Sequence, residues 1–366
     1  MSEQPVQQPY STSKPLLWKV VAGGVIVAGV LLWIAKVLDL QRVWTTLQQV
    51  NYLLALTSIV PVLSSHVVRA IRWRTMLRAI GLPAISLWDL FSAVMVGYTA
   101  NNIVPRSGEL LRPYVLAKRH GISSATVLAS VLAERMLDIF QLLLFLGAGL
   151  LFLPTVMRDV LPVWMFGSTI ESLAIVLLIL ALVVVVVGIT SLGERLVVGA
   201  IRWFNRAFAE RISNVFESFR RGLRIMRNVR DVLRIWVESI AMWILYAVPL
   251  WIVLQSVPMS IPAGTYWSFA DACIILVVVA VGTTVAPTPG AIGVVHALVS
   301  EAMNRLYGVP LEDAFVFITV AHGLNYLAVM VIGAYCTARE GVTLLNITRG
   351  LTPSETEPTA IGQTDA

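Results

Sequence analysis

Charge is what this sequence is short of. Only 13% of its 366 residues are Asp, Glu, Lys or Arg, while 57% are hydrophobic and the mean hydropathy is +0.80. A soluble domain carries about 25% charged residues, so that class is excluded. Cysteine is far scarcer, with two residues. Cys273 and Cys336 both sit inside apolar runs, which excludes a disulfide framework or a thiolate metal site and leaves two small buried hydrophobes. The carboxylates are accompanied by no Asp-rich metal motif, no Ser-His-Asp pattern and no nucleotide-binding loop. Catalysis is therefore unsupported, and neither a cofactor nor a metal is expected. The net charge of +6 and pI near 9.5 do not point to nucleic acid, because the arginines gather in short segments flanking apolar runs, as the positive-inside rule requires.

Long apolar runs are what the chain does have. A spanning helix needs about 20 of them in a row. The runs Leu16 to Leu38, Leu53 to Val68, Val127 to Leu153, Ser172 to Thr190, Trp236 to Val257, Phe269 to Ala286 and Ala314 to Tyr335 all qualify or nearly so. Trp88 to Val104 and Ala291 to Leu306 are shorter. Arg69, Arg72, Arg74 and Arg78 read as cytoplasmic topology signals, with headgroup contacts as the alternative reading for Arg69, Arg72 and Arg74. The expectation is an all-α, polytopic transmembrane bundle of about seven or eight spans with re-entrant or broken helices, its two termini cytoplasmic, in the cell membrane. Residues 1–15 are expected to be a disordered tail before an uncleaved first span, residues 16–340 one membrane domain, and residues 352–366 a second disordered tail. Between 194 and 234, ten arginines alternate with Trp203, Phe204, Phe208, Phe216 and Phe219. That pattern predicts basic amphipathic helices, lying on an anionic lipid surface or serving as a solvated connector.

Two interruptions stand out. The first, Gly97 to Arg119, places Asn101, Asn102, Pro105, Arg106, Gly108, Glu109 and Arg112 between apolar segments, and the basic flanks of Trp88 to Val104 predict a piece that enters and turns back, with a tilted span as the alternative. The second is Pro287-Thr-Pro-Gly290 with Gly293. Irregular backbone at membrane depth is tolerated only where protein covers it or it lines a cavity, and paired Pro/Gly-interrupted segments mark central transport sites. Val96-Gly97…Pro105-Arg-Ser-Gly108 resembles Val281-Gly282…Pro287-Thr-Pro-Gly290, either as an inverted repeat or as a chance match in a Gly-rich chain.

Pro105, Gly108, Pro287, Pro289, Gly290 and Gly293 are the expected hinges. A helix restarting near Arg106 and Arg112 is suited to a phosphate. The alternative is that Glu109 pairs with Arg106, Arg112 or Arg135, making the cluster a structural lock or a gate that a headgroup opens. Glu134, Arg135 and Asp138 sit in a spanning run, where ionisable side chains are functional by default, and Arg135 can pair with Asp138 three residues on. His296 follows the second break, as a satisfied buried residue or a proton carrier; His322 and Asn325 form another polar spot.

Taken together, Arg72-Trp73-Arg74, then Asn102…Pro105-Arg106-Ser-Gly108-Glu109…Arg112, then Glu134-Arg135…Asp138, then Pro287-Thr-Pro-Gly290…Gly293 resemble the flippase-like family typified by the transmembrane region of lysylphosphatidylglycerol synthases. The resemblance implies a multi-spanning bundle that moves a lipid or lipid-linked headgroup between leaflets, here without the soluble aminoacyl-transferase domain of some relatives. Relatives of that kind carry a second Gly after Pro-Gly and an acidic residue just beyond; this chain has Ala291 and His296. The expected function is translocation of an anionic headgroup of a membrane phospholipid or lipid-linked substrate, with no enzymatic step. The alternative is a non-transporting scaffold or accessory subunit of a lipid-modifying enzyme.

Overall fold

A computed structural model describes residues 36–152, 229–260, 266–285 and 288–342, with a few isolated positions besides. The runs at 16–38 and 172–190, the basic segment up to residue 228, Pro287 and both tails lie outside the described residues wholly or for the most part. Every regular element among the described residues is helical: α1 (Leu40–Gln48), α2 (Tyr52–Leu56), α3 (Ile59–Ala79), α4 (Leu87–Ile103), α5 (Gly108–His120), α6 (Ser124–Phe152), α7 (Val229–Ser256), α8 (Phe269–Val285), a 3-10 turn (Pro289–Ala291), α9 (Val294–Tyr307) and α10 (Leu311–Arg339). Three stretches, Tyr52–Ala79, Val229–Ser256 and Leu311–Arg339, are long and apolar enough to cross a membrane.

Helix lengths follow one rhythm. Long α3 is followed by short α4 and α5 and long α6; long α7 is followed by short α8 and α9 and long α10. Neighbours repeat with it: α3 packs on α4 and α7 on α8, α5 on α6 and α9 on α10, α4 on α10 and α8 on α6. At about 1.5 Å per residue, 17-residue α4 and α8 reach about 25 Å, short of a roughly 30 Å hydrocarbon core. Each therefore pairs with its successor as a hairpin that turns inside the bundle. α3 and α7 run antiparallel, since Arg69 meets Tyr246 while Thr75 meets Glu238. The halves are inverted.

Their matching glycines sit at matching contacts. A Cβ on Gly97 of α4 would meet the Arg112 Cβ of α5 at 3.1 Å, and one on Gly282 of α8 would meet Val295 of α9 at 3.2 Å. Gly108 is tighter still, because a methyl there would run into the Gly97 carbonyl.

Polar clamps hold the two ends. At one, Asp89 near the start of α4 accepts Arg119 (3.1 Å) from the end of α5 and Arg339 (3.5 Å) from the end of α10, while Glu340 takes Arg119 at 2.9 Å. At the other, buried Asp313 on α10 accepts Arg42 Nη2 (3.2 Å), the Thr46 hydroxyl (3.1 Å) and the Ser260 N–H (3.1 Å). The first hairpin thus enters from the Asp89 end and the second from the Asp313 end.

One expectation is corrected here. The run ending near Val68 continues as helix to Ala79, so Arg69 and Arg72 are not on an aqueous flank but inside the bundle, 3% and 0% exposed. The seam between α3 and α7 keeps them out of lipid.

Candidate functional site

Each break is built from residues unable to continue a helix. After Ile103 the chain goes extended at Val104, passes Pro105, and adopts a left-handed conformation at Arg106 (φ 63), which costs a non-glycine residue roughly 1–2 kcal/mol. Asn101 spans the gap: its Oδ1 accepts the Gly108 N–H at 2.8 Å, satisfying a donor the restarting helix leaves free. In the second break Gly290 (φ 58), Ala291 (φ 57) and Gly293 (φ 89) are all left-handed, and α9 starts at Val294 rather than beside Gly290.

The hairpin tips meet. Arg106 Nη2 donates to the Thr284 carbonyl at 3.2 Å, and Tyr326 of α10 donates to the Asn102 carbonyl at 3.5 Å. A Cβ on Gly290 would press on the Tyr326 ring at 2.8 Å and stand 3.4 Å from Asn102 Oδ1. The two interrupted segments therefore meet one another and α10, while Arg106, Thr283, Thr284 and Ile292 stay exposed.

Beneath the first tip lies a cluster of buried charge. Arg69 and Arg72 come from α3, Arg112 from α5, and Glu134, Arg135 and Asp138 from α6. Glu134, fully buried, accepts Arg69 and lies 3.4 Å from Arg72 and 3.0 Å from Arg112. Asp138, one turn further along the same face, takes Arg72 at 2.6 Å, Arg69 at 3.2 Å and Arg135 at 3.6 Å. Neutral partners complete it: the Tyr246 hydroxyl accepts Arg69 Nη2 at 2.8 Å and the Ser239 hydroxyl accepts Arg72 Nη1 at 3.2 Å. The Arg112 guanidinium stacks 3.7 Å over Trp73, whose indole N–H is anchored on Ser130 at 2.9 Å; such cation–π contacts strengthen when desolvated.

Arg112 and Arg135, with Tyr98, Asn101, Gly108 and Glu109, line a small cleft. Donors are left over on that wall. Arg112 Nη2 stands close to Glu134 but is not aligned to hydrogen-bond it, and Arg112 Nε and Arg135 Nε have no acceptor. Buried donors of this kind are rare and call for a partner.

Arg112, Glu134, Arg135 and Asp138 are thus brought together, with Arg72 among them. Glu109 shares the cleft, but among the described residues it makes none of the three pairings considered for it: Arg112 is drawn to Glu134, Arg135 to Asp138 and Arg106 to the Thr284 carbonyl. Arg106 belongs to the tip contact and not to the cluster. Arg74, half-buried, takes part in none of these ion pairs. His296 accepts the Gly293 N–H on its Nδ1 at 3.4 Å, capping its own helix, and its ring lies 5.2 Å from His322. Tyr246, Ser239 and the buried imidazole of His66, which has no hydrogen-bond partner, escaped sequence reasoning, which took Arg69 only as a topology signal or a headgroup contact. Arg69 and Arg72, three apart on one helix, carried a signal that was there to be used; Tyr246 and Ser239 carried none.

Inverted hairpins meeting over a buried charge cluster define a polytopic helical membrane protein. The chain belongs to the lysylphosphatidylglycerol synthase TM region family, whose model matches residues 20–333. It is also similar to a UPF0104 membrane protein of Methanothermobacter thermautotrophicus, 26% identical over 197 residues (51% of this chain, 57% of the relative). A UPF0104 membrane protein of Pyrococcus horikoshii is 24% identical over 189 residues (50% and 53%). The chain spans about half the length of these curated relatives.

Proposed function

We propose that the protein moves a lipid or lipid-linked headgroup bearing a phosphate between leaflets, without chemical conversion, and that the headgroup occupies the cleft walled by Arg112 and Arg135. One observation carries this reading: guanidinium groups with unused donors stand on the wall of a cleft, at a helix restart, at bilayer depth. Arg binds phosphate bidentately, and a helix N-terminus favours negative charge. Hairpins entering from opposite ends support alternating access, since loosening either tip opens the cleft toward a different side. Lys118, Arg119, Arg230, Arg234 and Arg339 gather at the Asp89 end, which on the positive-inside rule is the cytoplasmic one.

The test is transbilayer movement of headgroup-labelled phospholipid in vesicles reconstituted with purified protein. Wild type should move the label, and Arg112→Ala should slow it at least tenfold. Equal rates for the two, both above protein-free vesicles, would refute the assignment of the cleft.

A further inference from the structure

We propose that His296 and His322 form a proton-binding site at the second hairpin tip, and that a proton bound there releases the start of α9 and with it the contact between the tips. The chain has four histidines. These two face each other across α9 and α10, their ring centroids 5.2 Å apart. His296 sits in the first turn of α9, where its Nδ1 accepts the N–H of Gly293, the residue just before the helix, at 3.4 Å. Reaching back from the third helical position to that N–H is ordinarily the task of Gln or Glu. Histidine does it with a titratable acceptor. A neutral imidazole has one acceptor nitrogen, here spent on Gly293, whereas an imidazolium has none and donates from both nitrogens.

Protonation of His296 therefore leaves two donors facing each other, and it sets a positive charge at a helix N-terminus, where the dipole opposes it. Gly293 loses its cap within a few residues of Gly290, whose Cβ position lies 2.8 Å from the Tyr326 ring and 3.4 Å from Asn102 Oδ1. The switch is thus built into the tip contact. His322 holds the site to one proton, because two imidazolium groups at this spacing repel; its ring stacks 6.5 Å from Tyr326, which donates to the Asn102 carbonyl. Among the described residues, the charges on the surrounding elements are engaged elsewhere. Glu301 pairs with Arg305 on α9, Glu312 and Asp313 at the start of α10 take the Asp39 N–H and Arg42, and Asp271 on α8 takes Ser268. From the first tip, Arg106 is bound to the Thr284 carbonyl and Glu109 lines the cleft. His322 is the titratable neighbour that acts on His296. The inference goes beyond lipid movement, since the proton acts through helix geometry and needs no headgroup in the cleft.

Spin labels on exposed Leu110 and Ile292, with Cys273 and Cys336 replaced by Ala, read the separation of the tips by double electron–electron resonance. The full-length protein is measured in liposomes at pH 8 and at pH 4.5, with the proton as the one ligand varied. Wild type should hold one short distance at pH 8, and the share of molecules at a longer distance should rise roughly fivefold at pH 4.5, the scale of one lost helix cap. His296→Gln keeps the cap and loses the titration, so it should hold the short distance at both values. His296→Ala loses both, so the longer distance should be populated already at pH 8. Carboxylates that titrate over the same range act alike in wild type and His296→Gln, and a size-exclusion profile matching wild type verifies each variant. A wild type that ignores pH, a His296→Gln protein that responds as wild type does, or a His296→Ala protein as closed as His296→Gln overturns the proposal. Each of these results leaves lipid movement, read separately in the vesicle assay, standing.

Discussion

Glu134→Gln is the sharpest probe of the charge cluster. Glu134 is fully buried and faces three guanidinium groups, Arg69, Arg72 at 3.4 Å and Arg112 at 3.0 Å. Gln keeps the shape and removes the charge, leaving Asp138 as the one carboxylate for four arginines. Breaking a buried ion pair from one side costs about 3–5 kcal/mol, mostly from the charge left behind. Arg112→Gln alone should cost less, because it also removes one of the surplus cations. In the double variant the stranded cation is gone, so the loss should fall short of the sum of the singles by about 1–3 kcal/mol, the range for residues in one network. Equilibrium unfolding in mixed micelles measures all four corners of the cycle. Additive losses, or a Glu134→Gln protein as stable as wild type, would refute the pairing on which the site is built.

Other regions can be tested as directly. Gly108→Ala puts a methyl against the Gly97 carbonyl and should destabilise by about 1–3 kcal/mol, with the α4–α5 hairpin splaying, seen as faster maleimide labelling of a cysteine at Tyr98. Ala291→Gly removes a left-handed non-glycine residue and should stabilise by about 0.5–1 kcal/mol after the extra flexibility of glycine is counted, read as a higher unfolding midpoint. Asp313→Asn weakens the clamp on Arg42, Thr46 and Ser260 and should cost about 1–3 kcal/mol, with α1 the first segment to lose hydrogen-exchange protection. With Cys273 and Cys336 replaced by Ala, cysteines at Arg106 and Thr284 should be joined by a short bismaleimide, because the two residues touch at 3.2 Å; failure to cross-link would place the tips apart.

The helices were legible where local chemistry decides. Apolar run length located α7 and α10, and Pro105 with Gly108 located the first break. The end of α3 was misplaced because charge was read as exposure. Arginine at a membrane flank normally faces water, but Arg69 and Arg72 find Glu134, Asp138, Tyr246 and Ser239 across the bundle, and those contacts span 65 to 177 residues of sequence. No window along the chain contains both partners. Glu109 shows the same limit from the other side. Three arginines were near enough in sequence or helix phase to claim it, yet Arg112 goes to Glu134, Arg135 to Asp138 and Arg106 to the Thr284 carbonyl.

Why the charge gathers in one half follows from the inversion. Two hairpins of similar length enter from opposite ends and meet tip to tip, so their geometry is equivalent while their chemistry is not. At the contact where α4 meets Arg112 through Gly97, α8 meets Val295 through Gly282. A second set of arginines and carboxylates there would double the desolvation cost. An apolar counterpart with left-handed Gly290 and Gly293 supplies a surface that can slide or hinge without breaking ion pairs. The first half thus holds the buried charge and the second its apolar counterpart, and the two are joined at the tip through the Arg106–Thr284 and Tyr326–Asn102 hydrogen bonds.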